Sequence, residues 1–305
     1  MQIQEHIPLA PLTTFGIGGE ARYFCEVSSE DELREALQWA RGTTVPFVIL
    51  SGGTNVLVPD EGIQGLVIHM VCREHSFAGT ELDADAGCTL LPLIREASQK
   101  GLGGWEKLAG IPGTIGGAIR GNAGAFGSEI KDLATKVRAL DSETGEMREF
   151  ENAVCDFSYR HSFFKDHPEW IVTRVVLQLQ KIDAAESAKL AEGTIAERER
   201  RHLQNVKAAG SYFMNPVAPA NVVELFEKDK AVVSRGGRVP AGWLIEKAGM
   251  KGASVGGAIA SLQHPNYIVN QGDATAKDVR ELGAKVIAAV EAKFGVTLHE
   301  EAAIF

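Results

Sequence analysis

The chain has 305 residues, 45% of them hydrophobic and 23% charged, with a formal charge of −9 at neutral pH. That length supplies two domains or one large one, with enough apolar side chain for a sizeable core. No excess of Lys and Arg is available to neutralise phosphates, which argues against nucleic acid as the main partner but leaves room for a local basic pocket around one anionic small molecule.

The N-terminal stretch MQIQEHIPLAPLTTFGIGG has neither a basic region nor an apolar run suited to a secretory signal, and no transmembrane-length apolar run follows, so a cytoplasmic location without membrane insertion is expected. SSEDELREALQWAR opens with a capping-box pattern, Ser29 to Glu32, and places Leu33, Ala36, Leu37 and Ala40 on one helical face. The β-rich run Val45 to Leu50 then enters the glycine turn SGGTN. Leu66 to Val71 reads as a further strand and Leu90 to Lys100 as a helix. ATKVRALDSETGEMREF reads as a hairpin turning at ETGE, and Trp170 to Gln180 as the next strand. From about Asp183 to Leu203 the chain is helical and heavily charged, as a solvated face or a link between domains. Beyond Asn205, a helix starts after Pro240 and stops at Gly249. A longer one, Thr275 to Phe294, sets Val279, Leu282, Val286, Val290 and Phe294 at helical spacing. There is no internal repeat. Cys25, Cys72, Cys88 and Cys155 are far apart, with no C-x-x-C pair or metal-ligand spacing, and are expected to be buried, reduced thiols with no metal site.

Two glycine clusters stand out. One is SGGTN, Ser51 to Asn55; the other lies in LAGIPGTIGGAIRGNAGAFG, which has seven glycines in its twenty residues. Bare backbone lets a ligand approach closely, and successive N–H groups make an anion nest suited to a pyrophosphate. Neither cluster has the spacing of a P-loop or of a Rossmann fingerprint, so a dinucleotide here requires another fold.

In order along the chain, TTFGIGG, SGGTNVLVPD, LAGIPGTIGGAIRGNAGAFG, FSYRHSFFK, AGSYFMNP, AGWLIEKAGMKG and HPNYIVN resemble the MurB family, the UDP-N-acetylenolpyruvoylglucosamine reductases of peptidoglycan synthesis. The resemblance implies an α+β fold: an FAD-binding domain of the vanillyl-alcohol-oxidase (PCMH) type in two subdomains, 1–70 and 71–200, and an α+β substrate-binding domain, 201–305. It implies that Ser51, Gly52, Gly53, Thr54, Asn55, Gly110, Pro112, Gly113, Thr114, Ile115, Gly116 and Gly117 hold FAD, with Asn122, Ala123 and Gly124 continuing the wall. Thr54 stands where covalent flavoproteins often carry histidine, so non-covalent FAD is expected. The family uses NADPH to reduce UDP-N-acetylglucosamine enolpyruvate. The absence of a visible Rossmann domain fits a ping-pong scheme in one cleft.

That chemistry needs a fixed cation and a proton donor. By resemblance these are Arg160 in FSYRHSFFK and Ser211 in AGSYFMNP. A guanidinium stays charged and can hold a carboxylate bidentately. Near the C-terminus, LHEEAAIF resembles the segment holding the catalytic glutamate, and the family pattern selects Glu301 over Glu300 for orienting the substrate carboxylate. Asn215 and Lys251 match positions near the UDP diphosphate. Met214 replaces the usual lysine and Ala302 the usual valine. The short interval between Arg160 and Ser211, much of it helical, implies the subtype without an extra tyrosine-bearing loop. Another FAD-dependent oxidase or dehydrogenase on the same fold is the alternative, and a flavin- or nucleotide-sugar-binding protein without turnover is a second.

Overall fold

In the computed structural model, which describes residues 1–201 and 205–305, the amphipathic segment after Ser29 is the helix Glu30–Thr43. Its buried face is the one read from the spacing: Leu33, Ala36, Leu37 and Ala40. Ser29 accepts from the Glu32 amide, but Glu32 reaches back to the amide and hydroxyl of Ser28, one residue earlier than a reciprocal box requires. The strand that follows, Phe47–Leu50, starts later than expected because the Val45 amide bonds to the helix at Ala40 and Pro46 has no N–H to give.

The chain forms two compact units. The first comprises Met1–Ile7, Ala21–Gly53 and Gln64–Arg200; the second comprises Pro8–Glu20, Thr54–Ile63 and Arg201–Phe305. The second unit therefore takes two segments from early in the sequence as well as the C-terminal part.

The first unit has two hydrophobic cores. In one, the helix Glu30–Thr43 packs on a four-stranded sheet ordered Gln4–Pro8, Glu20–Val27, Ile63–Met70, Phe47–Leu50, in which Phe47–Leu50 runs parallel to Ile63–Met70. In the other, the helix Leu90–Gln99 and the short helix Ile115–Arg120 cover an antiparallel five-stranded sheet. Its order is Met147–Glu151, Ala134–Asp141, Trp170–Gln178, Glu81–Asp85, His75–Ala78. Trp170–Gln178 alternates as a half-buried strand should, with Ile171, Thr173, Val175 and Leu177 inward. The charged helix is Ala184–Arg200; the end of the expected helix, 202–204, lies outside the described residues. It packs within this unit: Ser187 bonds to Ser98 of the helix Leu90–Gln99 and to buried Glu106, so the charges form its solvated face.

In the second unit the helix Ala276–Phe294 buries Val279, Leu282, Val286 and Val290, with a full Thr275–Asp278 capping box at one end and left-handed Gly295 at the other. Asp60 adds a second cap, each carboxylate oxygen accepting one amide, Ala276 at 2.7 Å and Lys277 at 3.0 Å. The helices Ala220–Lys230 and Ala241–Lys247 and an antiparallel sheet, Ser254–Val255, Ala258–Ala260 and Ile268–Asn270, complete the core with Phe15, Ile17 and Leu57. The C-terminal strand Ala303–Ile304 lies parallel to Val56–Leu57. No described helix is long and apolar enough to cross a membrane.

Candidate active site

The glycine turns of the first unit come together. Strand Phe47–Leu50 delivers Ser51, whose hydroxyl lies 2.9 Å from that of Thr114. A Cβ placed on Gly52 would stand 3.1 Å from the Gly113 Cα, so the two loops meet backbone to backbone. Gly113 has φ +121°, a conformation that side chains other than glycine rarely take. The second loop is registered against Ala86–Leu90: the Leu90 amide bonds to Gly113, and the amides of Ile115 and Gly116 bond to Cys88 and Ala86. Thr114 caps the helix Ile115–Arg120 through the Gly117 amide. Gly116 has a packing reason to be glycine, since its Cβ would lie 2.6 Å from that of Ala86, and Ile115 is buried in the core.

Gly52 and Pro112 on these loops and Gly117 in the first turn of the helix Ile115–Arg120 are exposed, so bare backbone faces outward where the two loops meet. Glycine-rich backbone of this kind lets a pyrophosphate approach closely, and the residues present fit FAD. All four thiols are buried, and burial pushes Cys25 and Cys88 up to about 11 and Cys155 to about 12. None is therefore a ready thiolate nucleophile. Among the described residues no cluster could hold a metal ion.

Arg160 stands beside the next stretch of the same loop region. It occupies a two-residue turn closed by reciprocal amide bonds between Ser158 and His161, and its own φ is +57°. The guanidinium donates to the Gly124 carbonyl at 3.0 Å and lies over the Tyr159 ring. Lys165 donates to the Arg160 carbonyl. Asn122, fully buried and also at positive φ, donates its carboxamide N–H to Ser158 at 2.8 Å and to Glu129, and accepts from Lys131. Its side chain thus faces the turn that carries Arg160. Left-handed backbone at Asn122, Phe126 and Arg160 concentrates strain here, at a cost of about 1–3 kcal/mol per residue. The His161 Nε2 lies 3.5 Å from a carboxylate oxygen of Asp166 and 3.8 Å from one of Asp156, which gives it structural work.

In the second unit Ser211 begins a short extended segment bordered on both sides. On one border the Met214 amide bonds to His299 and the Glu301 amide to Tyr212, with Phe213 bridging Glu300. This brings Ser211 and Glu301 onto neighbouring segments of chain. The Tyr212 hydroxyl donates to Glu300 at 3.0 Å, and burial followed by the Glu300 charge raises the tyrosine above its ordinary range. Glu300 is held in place by this contact. Asn55 joins the same corner, donating to the Glu301 carbonyl and accepting from Ala303.

The positions carried over for the diphosphate are structurally engaged. Asn215 accepts the Ala241 amide at the start of the helix Ala241–Lys247, and Lys251 is ion-paired with Glu246 at 2.8 Å. The lysine holds the Glu246 carboxyl below its usual range. Both partners are more than one-third exposed, so the pair is weak enough for a stronger anion to displace it.

Several residues that shape this region carried no sequence signal of their own. Asn266 bonds twice to Phe213, and Asn270 accepts the amides of Gly272 and Ala274 while donating to Phe15. Both belong to HPNYIVN, and their place in that motif was the only available hint.

Residues 21–151 match the model of an FAD binding domain, and residues 201–305 that of the C-terminal domain of UDP-N-acetylenolpyruvoylglucosamine reductase. The UDP-N-acetylenolpyruvoylglucosamine reductase of Solibacter usitatus is 36% identical over 99% of this chain and 96% of its own length. That of Pseudomonas aeruginosa is 33% identical over 99% and 98%. The solved structure of the enzyme from Thermus caldophilus is 32% identical, covers 100% of this chain and 99% of its own, and superposes with a TM-score of 0.80.

Proposed function

From the premise that the chain belongs to the UDP-N-acetylenolpyruvoylglucosamine reductase family, we propose the residues through which it carries out that family's reaction. The chain is an FAD- and NADPH-dependent oxidoreductase that reduces UDP-N-acetylglucosamine enolpyruvate to UDP-N-acetylmuramate. The matched domain models support assigning the flavin to the region within 1–200 and the UDP-sugar to 201–305. Four buried thiols without a disulfide and the use of NADPH support a cytoplasmic setting.

FAD, when bound, would supply the hydride-transfer chemistry that links NADPH to the terminal carbon of the enolpyruvyl group. The glycine loops Ser51–Gly53 and Gly110–Gly117 would form a trough for its pyrophosphate, with Thr54 and Asn55 next along the chain. As hydride adds to the vinyl carbon, the electron pair of the double bond moves to the neighbouring carbon and its carboxylate. Arg160 meets that charge with a guanidinium whose direction is set beforehand by the Gly124 carbonyl. Glu301 orients the substrate carboxylate and the enolic form. Ser211 gives its hydroxyl proton to the carbon next to the carboxylate, completing the lactyl ether, and regains a proton from solvent. Asn215 and Lys251 serve the diphosphate, Lys251 by exchanging Glu246 for the ligand.

The observation that carries this reading is the anchoring of Arg160 to Gly124, at the end of the glycine-rich loop that meets Gly52. Anaerobic stopped-flow spectroscopy tests it. Arg160→Ala should leave flavin reduction by NADPH near the wild-type rate and slow reoxidation by the enolpyruvyl sugar by about 10²–10³-fold. Equal slowing of both half-reactions would remove Arg160 from the role.

A further inference from the structure

Asn266 takes no part in the reaction as described, yet it is 3% exposed and its hydrogen bonds among the described residues go to one dipeptide. Its carbonyl accepts the Tyr212 amide at 2.7 Å; its carboxamide oxygen accepts the Phe213 amide at 3.0 Å, and its carboxamide nitrogen donates to the Phe213 carbonyl at 2.8 Å. A carboxamide presents a donor and an acceptor side by side, as a peptide group does. The side chain therefore continues the ladder for one residue beyond its own backbone bond. With 299–301 on the opposite border, the segment carrying Ser211 is held along both sides. Upstream, Lys207 and Ala208 accept from Asn270 and Thr14, and between them and Ser211 the chain turns at Gly210, φ +72°, with open space where a Cβ would stand.

We propose that Asn266 is a positioning residue for Ser211, holding the Tyr212–Phe213 backbone so that the serine hydroxyl is presented in one place for proton delivery. This deepens, and rests on, the reading of Ser211 as proton donor. Proton transfer is sensitive to placement, and a shift of about 1 Å can cost about 100-fold.

Asn266→Asp tests the proposal in the holoenzyme. Aspartate keeps the shape and the acceptor for the Phe213 amide but replaces the donor to the Phe213 carbonyl with a negative oxygen. Asn266→Ser, which removes the carboxamide without adding charge, serves if the aspartate variant does not fold. Hydrogen exchange read by mass spectrometry should show faster exchange in the peptide covering 211–215. Flavin content and reduction by NADPH should be unchanged, while reoxidation by the enolpyruvyl sugar falls about 10- to 100-fold. In a Ser211→Ala background the same substitution should add little further loss, because both act through one hydroxyl.

Unchanged exchange across 211–215, equal slowing of both half-reactions, or losses that multiply in the double variant would each overturn the proposal. If Ser211→Ala slows reoxidation and Asn266→Asp does not, the positioning role alone fails. If Ser211→Ala reoxidises like the wild type, the proton-donor reading fails and the positioning role falls with it.

Discussion

Gly52→Ala probes the meeting of the two glycine loops. The new Cβ would stand 3.1 Å from the Gly113 Cα and 3.5 Å from Thr114, where ordinary contacts lie at 3.4–4 Å. The neighbour is backbone, and the Gly113 carbonyl is already bonded to Leu90, so the loop cannot yield as a flexible side chain would. Overpacking of this kind costs about 1–3 kcal/mol. If the trough must keep its shape to hold FAD, that cost appears in binding, and the FAD Kd should weaken by about 5- to 150-fold. Titration of the apoprotein with FAD, followed by flavin fluorescence, measures it directly. Gly42→Ala is the control: it lies in the helix Glu30–Thr43 with nothing within 4 Å of its Cβ position. That change should leave FAD affinity alone and raise stability by about 0.5–1 kcal/mol. A Gly52→Ala protein that binds FAD as tightly as the wild type would refute the trough.

Asp60→Ala removes two charge-assisted caps from the helix Ala276–Phe294 and should cost about 1–2 kcal/mol of stability, read as a lowered unfolding midpoint. Glu300→Ala should likewise cost about 1–3 kcal/mol by orphaning the Tyr212 hydroxyl while leaving turnover largely intact, whereas Glu301→Gln should lower kcat; kcat lost in the first variant and kept in the second would exchange the two roles. Alkaline stability follows from the thiols. Cys25, Cys88 and Cys155 hold their protons up to about 11, 11 and 12, while an unfolded thiol loses its proton near the ordinary value of 9.0. The unfolded state therefore binds fewer protons in this range, and stability should fall as pH rises above 9.0 towards 12. Denaturant melts across that range check the sign, and a thiol reagent at neutral pH should react with all four cysteines only after unfolding.

Periodicity made much of the fold legible. The inward faces of Glu30–Thr43 and Ala276–Phe294 could be read residue by residue, because helical spacing and capping chemistry are local. The two glycine clusters were visible as compositions, but their contact through Gly52 and Gly113 was not, since no local rule joins positions so far apart. For the same reason nothing in Pro8–Glu20 or Thr54–Ile63 marked them as parts of the C-terminal unit, although Asp60 completes a helix there. The site residues came from the resemblance. What the sequence could not show is which polar groups are already committed: Asn122 to the Arg160 turn, Asn266 to Phe213 and Glu300 to Tyr212. A side chain that substitutes for backbone has no period and no spacing by which to find it.

The most direct measurement is the visible absorption spectrum of the purified protein, followed anaerobically as NADPH and then UDP-N-acetylglucosamine enolpyruvate are added. The account predicts a flavin band that bleaches with NADPH and recovers in full with the enolpyruvyl sugar. A band that bleaches but returns only when air is admitted, or a colourless protein that cannot be reconstituted with FAD, would contradict it.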